Sequence, residues 1–179
     1  VSVARSDLAA ALVRACGAVS IRCGASVDEL HADRGGVDVA LTDGTRERVD
    51  VVVGADGLHS RVRELAFAPE RVVERHLGCH VAVFAVPDYP RREPLTYVAH
   101  TIAKRHASRF TLHDGSTMVL FVFRSELLDR EPARDDQRDA LRHAFRDVGW
   151  EVPALLARLT ADTDLYFDRV SQVHVPRWS

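Results

Sequence analysis

The residues most capable of chemistry lie together in one segment, residues 50–63, which reads DVVVGADGLHSRVR. It passes from three valines through a Gly-Ala-Asp-Gly turn into a stretch that Ser60 is suited to cap as a helix. Asp56 can accept hydrogen bonds from free amides of the turn, and Gly57 lets the backbone approach a ligand closely. A strand, a glycine turn and a capped helix in this order are typical of the sheet ends where nucleotides bind.

Two arginines, Arg61 and Arg63, fall in the first turn of this predicted helix. The amino end of a helix is positive, so a cation there costs a few tenths of a kcal/mol to about 1 kcal/mol unless an anion lies nearby. We therefore expect a negative group close to both side chains. The three valines, Val51 to Val53, predict a short strand buried on both faces.

The order of residue types in segment 50–63 resembles the second fingerprint of the FAD-dependent aromatic hydroxylases, the class A flavoprotein monooxygenases typified by para-hydroxybenzoate hydroxylase. Every constrained position of that fingerprint is filled, from Asp50 to Arg63. The resemblance implies FAD as a cofactor, NAD(P)H as the reductant, and a place beside the cofactor for Asp56 and Gly57. An ordinary buried strand before a capped helix would explain the valines and Ser60, but not the complete ordered set.

The same resemblance implies a cofactor role for Arg63, and the residues leave a second interpretation open. Arg63 either contacts the nucleotide or forms an ion pair or carbonyl bond that ties the helix to the sheet.

The first residues add a second similarity to that family. The apolar positions from Leu8 follow helical spacing, which predicts an amphipathic helix over Ala4–Cys16. Arg5-Ser-Asp-Leu8 resembles the Arg-x-x-Leu helix start of the family, whose arginine reaches FAD. The alternative for Arg5 is a solvated surface side chain.

Short strands are predicted between these two motifs. We expect them over Val19–Cys23, Ala25–Leu30 and Gly36–Leu41, with a hairpin turn at Asp43-Gly44. The resemblance implies that the stretch around Val27 flanks the adenine of FAD through backbone contacts. The alternative for Val27 is an ordinary strand residue.

The second half of the chain predicts an antiparallel sheet and two helices. The expected strands cover residues 81–86, 97–102, 109–113, 118–123 and 165–175, and the expected helices cover 133–148 and 153–159. The fold class is therefore α/β (α+β): a partial Rossmann-like FAD-binding domain over residues 1–75, followed by an antiparallel β-sheet substrate domain over 76–179. The carboxyl-terminal end is expected to return toward the FAD domain.

Composition excludes several other classes. The 179 residues are 46% hydrophobic with a net charge of -2, so we expect a globular protein that binds no nucleic acid. No apolar run reaches the length of a membrane helix. Three cysteines without a Cys-x-x-Cys pair predict a reducing, cytoplasmic location. His76, Cys79 and His80 lack a partner cluster, so we expect hydrogen-bonded histidines and no metal site.

The resemblance also sets the expected function. The chain contains no Gly-x-Gly-x-x-Gly segment and no later Gly-Asp segment of the family type, so we expect a central fragment of a longer monooxygenase. That enzyme would use oxygen to hydroxylate an aromatic or polyketide-like small molecule. The alternatives are another flavin-dependent oxidoreductase or halogenase, or a non-catalytic remnant. No catalytic base is predicted. Tyr97, His113 and Arg124 could face a substrate, with core packing, a turn and a solvated edge as their respective alternatives.

Overall fold

The computed structural model describes residues 5–67, 73–90, 96–112 and 114–175. The chain divides into two compact units. The first unit, which we call the sheet unit, combines the described residues up to Cys16 with His76–Val170. The second, which we call the turn unit, combines Gly17–Arg75 with the described residues from Ser171 onward. The predicted mixture of helices and antiparallel sheet is confirmed.

The turn unit contains a three-stranded antiparallel sheet in the order β1-β2-β3. Its strands are β1 (Val27–Asp33), β2 (Gly36–Leu41) and β3 (Arg46–Val49), and a short helix, α2 (Arg61–Ala66), follows them. The hairpin predicted at Asp43-Gly44 is present. The Asp43 carboxylate accepts a hydrogen bond of 2.9 Å from the amide of Thr45, and Gly44 adopts a φ of 86°, which glycine reaches without strain.

Two predicted strands of this unit are wrong. Residues 19–23 and 51–53 form no regular element. Val51 and Val53 are 73% and 81% exposed, so the expected burial on both faces is absent. A strand is stabilised by a hydrogen-bonded neighbour, and none of the described strands pairs with either run. The strand predicted over Ala25–Leu30 does form, but it begins at Val27 and continues to Asp33.

The sheet unit is built on five strands in the order β5-β6-β7-β4-β8. The strands are β4 (Val73–Val86), β5 (Tyr97–Ile102), β6 (Arg105–Thr111), β7 (Thr117–Arg124) and β8 (Tyr166–His174). The pairings β5–β6, β6–β7 and β4–β7 are antiparallel, which confirms the predicted arrangement. Between β6 and β7, Gly115 has a φ of 87°, as the hairpin predicted at Asp114-Gly115 requires.

One face of this sheet is buried beneath two helices, α3 (Gln137–Ala144) and α4 (Val152–Leu156). Aromatic side chains dominate the interface, and the rings of Phe121 and Phe145 meet edge to face with centroids 4.8 Å apart. The core joins sheet and helix residues that are at most 2% exposed: Ala82, Phe84, Val119, Phe121, Phe123, Leu141, Phe145, Val152 and Leu155. The helices therefore protect one face of the sheet.

Three helix predictions need adjustment. The helix expected over 133–148 begins with a 3₁₀ turn, Arg134–Asp136, and its α-helical part ends at Ala144 because Phe145 leaves the helical conformation. The helix expected over 153–159 is shorter, as α4. Helix α1 (Arg5–Ala15) is present, but Leu8 and Leu12 are 49% and 57% exposed. The apolar face predicted for α1 is thus uncovered within the described part of the chain.

A buried ion pair links the helical layer to the sheet. The guanidinium of Arg109, on β6, donates to both carboxylate oxygens of Glu151 at 2.8 and 3.1 Å. The hydroxyl of Tyr89 donates to the same carboxylate at 2.7 Å. The Arg109 and Glu151 side chains are only 3% and 13% exposed, so removing one member of this buried charge pair is strongly destabilising.

We expect Glu151→Ala to lower the free energy of unfolding by about 3 kcal/mol or more, because it removes the carboxylate that both ends of the buried Arg109 guanidinium contact. Denaturant unfolding measures the change. The matched control is Glu126→Ala, which removes a 51% exposed partner of Lys104 and should lower the free energy of unfolding far less, because exposed ion pairs contribute little. Equal losses in the two variants would contradict a stabilising role for the buried pair.

Candidate functional site

The turn before α2 is closed by its own side chains. Ser60 caps the helix, as the sequence predicts: its hydroxyl oxygen accepts a hydrogen bond of 3.0 Å from the amide of Arg63. The same hydroxyl donates to the carboxylate of Asp56, and Ser60 is only 5% exposed. The other oxygen of Asp56 accepts from the amide of Val62 at 3.1 Å. One carboxylate thus joins the turn to the helix start.

The charge of this carboxylate is favoured by its surroundings. The hydrogen bond from the Ser60 hydroxyl is the largest cause that lowers the pKa of Asp56, and partial desolvation opposes it. The backbone amide of Val62 lowers the pKa further. Asp56 is therefore an anion at neutral pH, positioned at the positive end of α2.

Arg63 folds back over the turn that it follows. Its guanidinium donates to the backbone carbonyl of Gly57 at 3.0 Å and to the carbonyl of Leu58. Its Nε is buried and has no hydrogen-bond partner in the described part of the chain. The carbonyl bonds match the structural alternative that the sequence left open for Arg63, and nucleotide contact through the remaining Nε stays a prediction.

Arg61 finds its negative partners within the chain. Its guanidinium lies 3.3 Å from the Glu64 carboxylate and 3.9 Å from that of Asp28, and it donates to the Asp28 carbonyl at 3.3 Å. The anion expected near Arg61 is therefore protein carboxylate. These contacts also connect α2 to the start of β1, where Val27 is paired with Leu41.

A cavity of about 570 Å³, which we call the turn cavity, opens beside this turn. No described atom lies within 4 Å of the position that a Cβ would take at Gly57, whose φ is 83°. At Gly54, by contrast, a Cβ would lie 2.8 Å from Cγ1 of Val62, so close packing requires glycine there. The cavity is lined by Val52, Val53, Gly54, Ala55, Asp56, Gly57, Ser60, Val62, Arg63, Ala66 and Phe67.

The structure thus brings together three of the five predicted cofactor residues. Asp56, Gly57 and Arg63 line the turn cavity. Val27 precedes Asp28, whose carbonyl accepts the hydrogen bond from Arg61 that connects β1 to α2. Arg5 belongs to the other unit, where it begins α1.

A second cavity, of about 440 Å³, lies on the face of the five-stranded sheet that α3 and α4 leave uncovered. We call it the sheet-face cavity. Arg5 and Ser6 of α1 line one side. The Arg5 side chain forms no hydrogen bond or ion pair within the described ranges. The rest of the lining is mainly apolar. It consists of Val83, Tyr97, Ser108, Arg109, Phe110, Met118 and Leu120 from four strands, and of Leu112 just after β6.

A hydrogen-bonded chain of side chains runs along this face. The Tyr97 hydroxyl lies 3.0 Å from Nε2 of His106, and Nδ1 of His106 lies 2.8 Å from the hydroxyl of Thr101. Tyr97 is 49% exposed, so core packing is the wrong interpretation of this residue. Arg124 is exposed at the end of β7, which matches its interpretation as a solvated edge residue. His113 lies outside the described residues.

The sequence did not predict His106 as a site residue. It placed Phe110, Met118 and Leu120 in strands but did not predict that they line a cavity. The strand predicted over 109–113 in fact spans Arg105–Thr111, so His106 was not placed in the sheet. Residues 105–111 do not alternate between apolar and polar types, so the sequence carries no strand signal that could have found it.

The histidines near β4 are engaged in hydrogen bonds. His76 Nε2 and His80 Nδ1 lie 2.8 and 3.0 Å from the hydroxyl of Ser125, and His80 Nε2 lies 3.1 Å from the Glu131 carboxylate. Among the described residues, no group of three or more His, Cys, Asp or Glu side chains is arranged to hold a metal ion. In the same residues, no helix has both the length and the apolar character needed to cross a bilayer.

Comparison with known proteins places the chain in a family. Residues 3–160 match the family model of the FAD binding domain, and the chain belongs to this family. A flavin-dependent monooxygenase of Legionella longbeachae is 29% identical over 180 residues, which cover 100% of this chain and 46% of the relative. A second flavin-dependent monooxygenase, from an unknown prokaryotic organism, is 31% identical over 183 residues and is covered to 47%. The chain spans about half the length of these relatives.

Solved structures show the same fold. Tetracycline destructase Tet(55) superposes with a TM-score of 0.84 at 28% identity, over 98% of this chain and 47% of that chain. Klebsiella pneumoniae HpxO, solved with FAD and uric acid, superposes with a TM-score of 0.71 at 24% identity, over 95% of this chain and 43% of that chain. The latter similarity is one of fold alone.

We expect Ser60→Ala to lower the free energy of unfolding by about 1 kcal/mol at pH 7, because α2 loses its cap. The loss should shrink as the pH falls below about 4. Because the pKa of Asp56 is lower in the folded protein than in the unfolded chain, ionised Asp56 stabilises the folded state at neutral pH. This stabilisation is lost as the pH falls and the folded carboxyl is protonated. The hydrogen bond from Ser60 is the main cause of the lowered pKa, so its removal matters less at low pH.

Denaturant unfolding between pH 3 and pH 7 measures this dependence. Ser116→Ala is the matched control, since it removes a hydroxyl that donates to Asp114 in an exposed hairpin and should change stability by less than about 0.5 kcal/mol. A Ser60→Ala loss that stayed constant across this pH range would contradict the proposed coupling to Asp56.

Proposed function

We propose that this chain is part of an FAD-dependent, NAD(P)H-using monooxygenase that hydroxylates an aromatic or polyketide-like small molecule. The turn cavity is the observation that carries this proposal, because its residues fit a bound dinucleotide and belong to a chain of the FAD binding domain family. The flavin-dependent monooxygenases similar to the whole length of the chain support the reaction class.

Two features of the turn cavity support FAD as its ligand. The Gly57 backbone faces open space, and Arg63 keeps one buried donor atom without a partner in the described part of the chain. We propose that Asp56 holds this turn in shape while Gly57 and Arg63 contact the cofactor. Arg5 and Val27 remain further proposed FAD contacts.

Bound FAD would supply the redox chemistry, taking electrons from NAD(P)H and passing them to oxygen. The chain itself supplies position and polarity. In the sheet-face cavity, Phe110, Met118 and Leu120 form an apolar floor that keeps water away from a bound ring. Tyr97 offers a hydroxyl that can orient the substrate.

The dimensions of the sheet-face cavity support a small-molecule substrate. Its volume of about 440 Å³ lies within the usual range for ligand pockets, which are mostly apolar with a few polar groups. Two similar structures at 28% and 29% identity are tetracycline destructases, and tetracycline is a fused-ring molecule. We therefore propose planar ring systems as substrates. We also propose a cytoplasmic location, supported by the three free cysteines.

The direct test is a turnover assay of the natural protein at its full length. We expect it to purify with bound FAD, to oxidise NADH or NADPH, and to place one ¹⁸O atom from ¹⁸O₂ into a hydroxylated aromatic or polyketide product. An anaerobic reaction is the control and should reduce the flavin without forming that product.

Other outcomes would identify the alternatives. If the flavin is reduced but no tested substrate gains ¹⁸O, the result would favour a reductase or dehydrogenase. Incorporation of halide into the product would favour a halogenase. A protein that cannot bind FAD would contradict the proposal and favour a non-catalytic remnant.

A further inference from the structure

Strand register places Tyr97 of the sheet-face cavity beside two polar side chains of the same sheet face, Thr101 and His106. Thr101 on β5 lies directly opposite His106 on β6, and the pair Ala99 and Ser108 separates them from Tyr97. Because these two intervening side chains are small, the rings of Tyr97 and His106 can lean over them and stack, with centroids 6.4 Å apart and planes 19° apart. The stacking brings the Tyr97 hydroxyl within hydrogen-bond distance of the imidazole.

The imidazole of His106 determines what Tyr97 can offer. When Nε2 carries the proton, it donates to the Tyr97 oxygen, and the phenolic hydrogen is free to donate to a ligand. When Nδ1 carries the proton, it donates to Thr101, and Nε2 accepts the phenolic hydrogen. The Tyr97 oxygen is then free to accept from a ligand. The two tautomers thus make Tyr97 either a donor or an acceptor.

The floor of the cavity offers little competing polarity to a neutral ligand. Arg5 and Ser6 lie on the α1 side of the cavity, and the Arg109 guanidinium is already bonded to Glu151. The lining between β4 and β7 is apolar, through Val83, Met118 and Leu120. The hydroxyl of Ser108 donates to the carbonyl of Leu120 at 3.4 Å, and Ser108 is fully buried. Among the strand residues that line the cavity, Tyr97 therefore offers the hydrogen bond to a polar atom on an otherwise apolar ring.

We propose that Tyr97, held by His106 and Thr101, is a specificity-determining residue that binds a hydroxyl or carbonyl oxygen on the edge of a planar apolar ring. This inference rests on the proposed function, since it takes the sheet-face cavity as the substrate site. A substrate with keto and enol forms suits this arrangement, because the His106 tautomer matches Tyr97 to either form.

Binding of two neutral probes tests the proposal on the full-length protein. The probes are 2-naphthol and 2-methylnaphthalene, which have nearly the same shape and differ in one hydroxyl group. We expect Tyr97→Phe to weaken 2-naphthol binding about fivefold and to leave 2-methylnaphthalene binding unchanged, as the loss of one hydrogen bond predicts. His106→Leu should have the same selective effect. The double variant should lose no more than Tyr97→Phe alone, because both residues act through one hydroxyl.

Tyr166→Phe is the matched control. It removes the hydroxyl of another exposed tyrosine of the same sheet, which donates to Asp168 at 3.1 Å and does not line the cavity, so probe binding should not change. The inference would be overturned if Tyr97→Phe weakened the binding of both probes equally or weakened the binding of neither. It would also be overturned if the unaltered protein bound neither probe.

FAD content, measured on the same samples, separates this inference from the proposed function. A protein with normal FAD and no hydroxyl selectivity at Tyr97 contradicts the inference alone. A protein with that selectivity and no FAD contradicts the flavoenzyme proposal while leaving Tyr97 as a ligand-binding residue.

Discussion

The carboxylate of Asp56 is the interaction on which the proposed cofactor region depends. It accepts the Ser60 hydroxyl and the Val62 amide at the start of α2, and this fixes the turn whose Gly57 and Leu58 carbonyls receive Arg63. All of these partners lie within eight residues of sequence. The turn can therefore keep its shape through local bonds, and its glycine backbone stays open toward the turn cavity.

The sheet unit is stabilised by a different kind of constraint. Its two helices bury aromatic residues on one face of the sheet, and the Arg109–Glu151 pair fastens the helical layer to β6. The opposite face is open between the strands and α1, where the sheet-face cavity lies. The buried core and the sheet-face cavity thus lie on opposite faces of one sheet.

Sequence predicted the features that depend on neighbouring residues. The Ser60 cap, the Asp43-Gly44 hairpin and the antiparallel order around Asp114-Gly115 are all confirmed. The strand expected at Val51–Val53 is wrong because apolar character alone does not supply a pairing partner. Likewise, the stacking of Tyr97 on His106 depends on the register between β5 and β6, which residue types alone do not determine.

The most direct measurement of the central claim is the FAD affinity of the full-length protein with Asp56→Ala, compared with Asp43→Ala. Both residues are turn aspartates that accept backbone hydrogen bonds and have lowered pKa values, but Asp43 lies in the β2–β3 hairpin and outside the turn cavity. We expect at least about a tenfold loss of FAD affinity for Asp56→Ala and an unchanged affinity for Asp43→Ala. Full retention of FAD by a folded Asp56→Ala protein would contradict it.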